Sequence, residues 1–249
     1  MIIKEAAVVT IRNESKRLPQ KPLAEVKQGY FSSDIIIERA KKTGYPVILA
    51  TSTDESDNIF EKIGKKHGIE IFRGALFNKI KRWYDCFSKY NIERALLIDG
   101  DDLSYDFDLA KRAMLNLKTS KVDMISHPDN IVTGLFTYAI NKTAIKKLYD
   151  TVPNESTDTD VITRYIEQAN LKTSYITLHD FEKNKDLRLT LDYKEDLEFF
   201  QKLYQNIDVL ATGYEIINFL EKNKYLSEIN YHKQKEYVKN QERFNAKII

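Results

Sequence analysis

Between residues 9 and 23 the chain reads VTIRNESKRLPQKPL, with Arg12, Arg17 and Lys21 spaced along a segment that Pro19 and Pro22 hold out of helix. Guanidinium groups bind phosphate oxygens two at a time and an ammonium acts as a point charge. This set therefore suits a triphosphate and the pyrophosphate that leaves it. A second constellation is acidic. DGDD, residues 99–102, follows an apolar run, and Gly100 lets the backbone bend so that Asp101 can face a hard cation. Mg2+ takes one or two protein carboxylates and completes its octahedron with water and substrate phosphates. Asp192, in RLTLDYKEDLEFF, ends another apolar run and would reach the same ion if that run joins the sheet. Each group has a plainer reading: a solvated basic loop for the first, and for Asp192 a helix N-cap in front of KEDLEFF.

The elements that must position these groups follow from periodicity. AAVVTI (6–11), PVILAT (46–51), IEIF (69–72), RALLID (94–99) and VDMIS (122–126) are short apolar runs of the kind buried in a parallel sheet. Between them SSDIIIERAKKTG, SDNIFEKIGKKHG, NKIKRWYDCFSKY and FDLAKRAMLNLK carry helical patterns, two of them ending at Gly44 and Gly68. The alternation predicts an α/β fold, a doubly wound Rossmann-like and mostly parallel sheet. The later half is less regular. GLFTYAI (134–140), TSYITL (173–178) and LRLTLD (187–192) read as strands, with helices near 142–150 and 158–169 and from Glu195. From Tyr214 the chain reads as helices rich in Lys, Glu and Tyr. The expected organisation is one domain over residues 1–212 and a helical appendage over 213–249. Ligands of such folds bind outside the carboxyl ends of the strands, where RNESKRLPQK, TSTDESD, RGALFNK and DGDD all fall.

Composition excludes several classes. A chain of 249 residues with 42% hydrophobic and 31% charged residues can bury a sizeable core. No apolar run approaches the roughly 20 residues of a membrane span, and MIIKEAAVVTI lacks the layout of a secretion signal, so a cytoplasmic protein is expected. The single cysteine, Cys86, forms no internal disulfide or cysteine-rich zinc site and suits a buried, inert thiol. The net charge of +2 is interspersed, without the basic footprint of a nucleic-acid binder. Neither G-x-G-x-x-G nor G-x-x-x-x-G-K-[ST] occurs, against a dehydrogenase or a P-loop ATPase. No Ser, His and Asp pattern suggests hydrolysis. His127, Arg164 and Arg188 suit either an acidic acceptor or ordinary loop and salt-bridge roles.

The motif Arg12-x-x-Ser15-x-Arg17-Leu18-Pro19-x-Lys21-Pro22-Leu23 resembles the opening signature of cytidylyltransferases. That group contains CMP-Kdo synthetases, CMP-acylneuraminate synthetases and the spore-coat polysaccharide cytidylyltransferase-like proteins. VILATSTDESD, IFRG, LLIDGDD, RLTLDYKEDLEFF and EINYHKQK follow in the family's order, so the resemblance covers nearly the whole chain and is nearest the spore-coat branch. It implies that Arg12, Ser15, Arg17 and Lys21 hold the phosphates of CTP and that Asp101 and Asp192 bind Mg2+. Ser52 and Asp54 stand where family members contact the nucleotide, and Arg73 matches the F-R-G arginine. Four positions depart from the pattern. Gln20 stands where a glycine is usual, which implies a different turn in the phosphate loop. Leu103 replaces the proline of G-D-x-P, and Asn78 and Lys79 replace an acidic segment.

The function implied is transfer of CMP from CTP to an acidic sugar, a sugar phosphate or a phosphonate, by a homodimer contacting through residues near 130–180. The competing reading is a glycosyltransferase of similar fold using Asp99-x-Asp101 as its nucleotide-sugar metal motif. A non-catalytic nucleotide-binding scaffold is disfavoured, because Lys21, Asp101 and Asp192 are costly to keep without a charge to balance.

Overall fold

Strand β1 (Glu5–Thr10) turns Ala7 and Val9 into one core and Ala6 and Val8 into another, the alternation of a strand covered on both faces. The computed structural model describes residues 2–15, 17–183 and 186–246. A short hairpin of β2 (Glu25–Lys27) and β3 (Tyr30–Phe31) follows β1 and leads into α1 (Ser32–Lys41). Then come β4 (Val47–Ser52), α2 (Ile59–His67), β5 (Glu70–Gly74), α3 (Lys79–Tyr90), β6 (Arg94–Asp99) and α4 (Phe107–Thr119). Strands β7 (Met124–Ser126) and β8 (Tyr138–Asn141), helices α5 (Lys142–Thr151) and α6 (Thr163–Gln168) and strand β9 (Thr173–Tyr175) complete the sheet. The chain ends in α7 (Lys194–Asn206), α8 (Gly213–Lys222), α9 (Lys224–Ser227) and α10 (Gln234–Ala246).

The seven strands lie in the order β5-β4-β1-β6-β8-β7-β9, with β8 antiparallel to both neighbours and the other strands parallel to one another. The expected doubly wound, mostly parallel sheet is borne out. Helices α1, α4, α7 and α8 cover one face and α3, α5 and α6 the other. The strand order reverses between β1 and β6, so the loops leaving those two strands diverge and open a crevice at their carboxyl ends.

Two differences from the sequence reading matter. GLFTYAI becomes a strand only from Tyr138, because Gly134 is committed to a tight passage: at φ +91° its missing side chain lets the chain lie against Leu189, whose carbonyl oxygen a Cβ would meet at 2.2 Å. LRLTLD is extended but joins no sheet. One parallel bridge pairs Arg188 with Thr133, and the amide of Leu191 donates to the carbonyl of Asp101 at 2.9 Å. Its alternation serves packing, since Leu187, Leu189 and Leu191 enter the same core as α1 and α4.

The segment expected as an appendage contributes Ile216, Ile217, Leu220 and Leu226 to that core, and its residues 247–249 lie outside the described ones. The fully buried Arg39 of α1 donates to the carbonyls of Val209, Ala211 and Tyr105 at 2.8 to 2.9 Å and ties α1 to the approach to α8. Cys86 is buried as expected, and burial pushes its thiol up to about 12. Among the described residues no helix is long and apolar enough to cross a membrane.

Candidate active site

The turn after β6 lies directly against the end of β1. Gly100 donates its amide to the carbonyl of Thr10 at 2.8 Å, and a Cβ at Gly100 would fall 2.8 Å from that same oxygen. Only glycine allows this approach, which sets DGDD beside the start of the basic loop. Within the loop Leu18 is buried as an anchor, and Ser15 Oγ accepts from the amide of Leu18 at 3.4 Å. Gln20 adopts φ +55° and ψ +28°, the left-handed conformation that glycine visits freely, so a turn of glycine type is kept here at a cost of about 1 kcal/mol. The turn Lys21–Leu23 follows, seated by the buried Pro22, and it delivers Lys21 into the crevice.

There the Lys21 ammonium donates to Asp101 Oδ2 at 2.6 Å and to Asp192 Oδ1 at 3.3 Å. Arg17 donates to the same Asp192 oxygen at 2.5 Å. Burial would lower the pKa of Lys21, but the charges of Asp101 and Asp192 outweigh it and raise the value. Burial would likewise raise Asp192, yet Lys21, Arg17 and Arg188 hold it below the ordinary carboxylate range. Arg17 and Lys21 of one loop, Asp101 of a second and Asp192 of a distant segment are thus gathered by mutual charge.

Asp192 is not the N-cap of α7. That place belongs to Tyr193, and Asp196 reaches back to accept from the amides of Asp192 and Tyr193 at 2.8 and 2.9 Å. Its carboxylate, freed from capping, receives Arg188 Nη2 on Oδ2 at 2.9 Å, while Arg188 Nε donates to Asp196 at 2.9 Å. Of the two readings open for Arg188, the buried salt bridge is the one observed.

A second group of charges lines the β5 side. Arg12 donates to the carbonyl of Leu76 at 3.0 Å and to Asp160 at 3.2 Å, and Lys79 lies 3.6 Å from Asp99 with its ammonium over the ring of Trp83. Burial raises the pKa of Asp99 against the pull of Lys79, and it raises Asp102 further, helped by the negative charges of Asp101 and Asp99. The His127 ring stacks on Tyr138 and meets Phe136 edge to face, and burial lowers its pKa.

The loop after β4 is organised differently. Asp57 accepts from Ser52 Oγ at 2.5 Å, the Ser52 amide at 3.0 Å, Thr51 Oγ1 at 2.8 Å and the Asn13 amide at 2.7 Å. Asp54 caps the turn Glu55–Asn58 by accepting from the amide of Ser56 at 2.9 Å. Arg73 donates to the carbonyls of Ser52 and Asp54 at 3.0 and 2.8 Å and to Glu61 at 2.8 Å. Ser52, Asp54 and Arg73 are therefore brought together with one another, around the backbone of their own loop.

A sequence model described as cytidylyltransferase matches residues 6–243. The chain belongs to the cytidylyltransferase family. This cytidylyltransferase is 27% identical over 241 residues to an uncharacterized protein of Methanocaldococcus jannaschii, covering 94% of this chain and 98% of that one. It is 24% identical over 228 residues to the spore coat polysaccharide biosynthesis protein SpsF of Bacillus subtilis, covering 87% and 93% of the two chains. A solved cytidylyltransferase from Leptospira borgpetersenii shares the fold with a TM-score of 0.80 at 21% identity, over 90% of this chain and 96% of that one.

Asp101 and Asp192 are the side chains of this cytidylyltransferase that could offer hard carboxylate oxygens to a divalent cation. One ammonium already bridges them, and no cluster of three or more His, Cys, Asp or Glu side chains able to hold a metal exists among the described residues. Two hard carboxylate oxygens match the one or two protein carboxylates that Mg2+ takes. Asp57, Asp160, Asp196 and Asn230 escaped the sequence reading. Asp196 had a signal, three residues after Tyr193 at capping-box spacing; Asn230 lies in the EINYHKQK ending; Asp160 and the site role of Lys79 had none.

Proposed function

We propose that this nucleotidyltransferase uses CTP and Mg2+ to transfer CMP to an acidic sugar, a sugar phosphate or a phosphonate, releasing pyrophosphate, in the biosynthesis of cell-surface glycans. The observation that carries the reading is the Lys21 ammonium held between Asp101 and Asp192, with Arg17 on the same oxygen. Such pairs keep cations and carboxylates oriented before the substrate arrives. On binding, Arg17 and Lys21 exchange carboxylate for phosphate oxygens and neutralise the departing pyrophosphate, and Asp101 and Asp192 hold the metal. Mg2+ supplies charge neutralisation on the phosphate oxygens. Arg12, paired with Asp160, adds a further cation for the CTP phosphates, and Lys79, 3.6 Å from Asp99, places one where an anionic acceptor would be drawn. An acceptor oxygen that is already ionised at neutral pH needs no general base. The name of the Bacillus subtilis relative, a spore coat polysaccharide biosynthesis protein, supports a glycan pathway. The glycosyltransferase reading leaves Asp192 and the basic loop without a task.

The reading extends to a homodimer through residues 130–180, supported by β9, an edge strand on which Tyr175 is 65% exposed. The test is pyrophosphate release from CTP, UTP, ATP and GTP with Mg2+ against acidic sugars, sugar phosphates and phosphonates. Release confined to CTP, dependent on one acceptor and abolished in Asp101→Ala, is the expected result. Release from another nucleotide, or none with any acceptor, overturns it.

A further inference from the structure

Asp192 divides its two oxygens between exchangeable partners and a fixed one. Oδ1 accepts from Arg17 and Lys21, whose side chains are 39% and 17% exposed, whereas Oδ2 accepts from Arg188, whose side chain is 0% exposed. Which oxygen faces the crevice is therefore set by where Arg188 is held. Asp196 takes Nε and Nη2 of its guanidinium at 2.9 and 3.1 Å. The remaining nitrogen, Nη1, donates to Gln234 Oε1 at 3.1 Å, and Gln234 Nε2 in turn donates to Thr133 Oγ1 at 3.2 Å. The buried Asn230 donates from Nδ2 to the carbonyl of Arg188 at 3.0 Å and to Asp196 Oδ1 at 2.9 Å. The ring of Tyr237 lies over the guanidinium at 4.7 Å.

We propose that the segment from Asn230 to Tyr237 is a positioning element of the active site, acting through Arg188 to aim Asp192 Oδ1 at the divalent cation. A buried guanidinium fork is held in one orientation when each of its three nitrogens has an acceptor. Without Gln234, Nη1 is left unpaired, the fork turns to recover a partner, and Asp192 turns with it. Gln234 and Asn230 never touch substrate on this account; they are positioning residues. The inference rests on the metal-dependent function proposed above.

The test uses Mn2+ as probe, its binding to the full chain with CTP but no acceptor being followed by electron paramagnetic resonance, beside thermal melting. Gln234→Met keeps the volume but offers only a weak thioether acceptor, and it is expected to weaken Mn2+ binding about tenfold, the range typical when a partner of a metal ligand is removed. Gln234→Glu still accepts from Arg188 and is expected to stay within about threefold of wild type. Thr133→Val, one bond further out, gives a smaller loss and serves if Gln234→Met does not fold. Unchanged Mn2+ binding in Gln234→Met, or equal loss in Gln234→Met and Gln234→Glu, overturns the inference while leaving the proposed function standing. Wild-type protein that binds no Mn2+ with CTP overturns both.

Discussion

The loops that leave β1 and β4 lie at the same edge of the sheet and are about equally polar, yet they use their polar groups in opposite ways. After β4, Asp57 collects hydroxyls and amides mostly from residues five or six positions away, and Arg73 binds backbone carbonyls. After β1, Lys21 and Arg17 reach carboxylates 80, 171 and 175 residues away, and each of these hydrogen-bond partners is an ion that another ion could replace. The first arrangement is a frame and the second a poised binding site. Asn13 joins them, since its amide donates to Asp57 and so ties the basic loop to the frame.

Substitutions can break or sharpen this contrast. The largest effect is expected for Lys21→Met, which should lower kcat/KM for CTP by about a thousandfold or more, read as pyrophosphate release, because one charge serves both the phosphates and the carboxylate pair. A loss under tenfold would remove Lys21 from the site. Asp57→Ala should act on stability, shifting the urea midpoint by an amount equivalent to about 3 kcal/mol, since its buried hydroxyl and amide donors lose their acceptor together. A shift no larger than that of a surface substitution would show that the frame does not depend on Asp57.

The acid response should separate the two loops further. Asp192 has its pKa depressed in the folded chain, so it stabilises the fold above the unfolded carboxylate value near 3.9, and that contribution disappears as pH falls through the lower folded value. The stability difference between wild type and Asp192→Asn should therefore be greatest above about pH 4 and shrink below it; a difference that grows on acidification would contradict the charge assignment. The smallest effect is expected for Ser52→Ala, a loss of about 1 kcal/mol in thermal or urea unfolding with KM for CTP within about twofold of wild type. A large rise in KM without loss of stability would instead place the hydroxyl on the nucleotide.

Much of this was legible in the chain itself. Strands β1, β4 and β6 were visible as apolar runs because burial on both faces favours apolar residues, while the edge strand β5 showed through Ile71 and Phe72. Lys21, Asp101 and Asp192 were visible through the spacing of the proline-held loop, the DGDD turn and the resemblance to the family's motifs. LRLTLD was misread as a strand because a two-residue alternation fits any extended segment covered on both sides, and here the covering is a loop and the site instead of neighbouring strands. In TSTDESD nothing distinguishes Asp54 from Asp57, although one is exposed and the other is the centre of the frame.

His67 illustrates the same limit away from the site. It had no visible partner in sequence, yet α2 sets it between Asp34 and Glu38 of α1 at 2.6 and 2.8 Å, and together with Lys66 it holds Asp34 at about 2 against the effect of burial.

The sequence by itself determined the alternating fold, the family, and the residue types at the crevice, since these follow from local periodicity and from motifs read along one strand-end loop at a time. Only the tertiary structure decided that Asn230 and Gln234 hold the arginine behind Asp192, whereas the capping role of Asp196 was already marked by its spacing from Tyr193. Pairings across 34 to 46 residues depend on which surfaces the core brings into contact, and no local spacing encodes that.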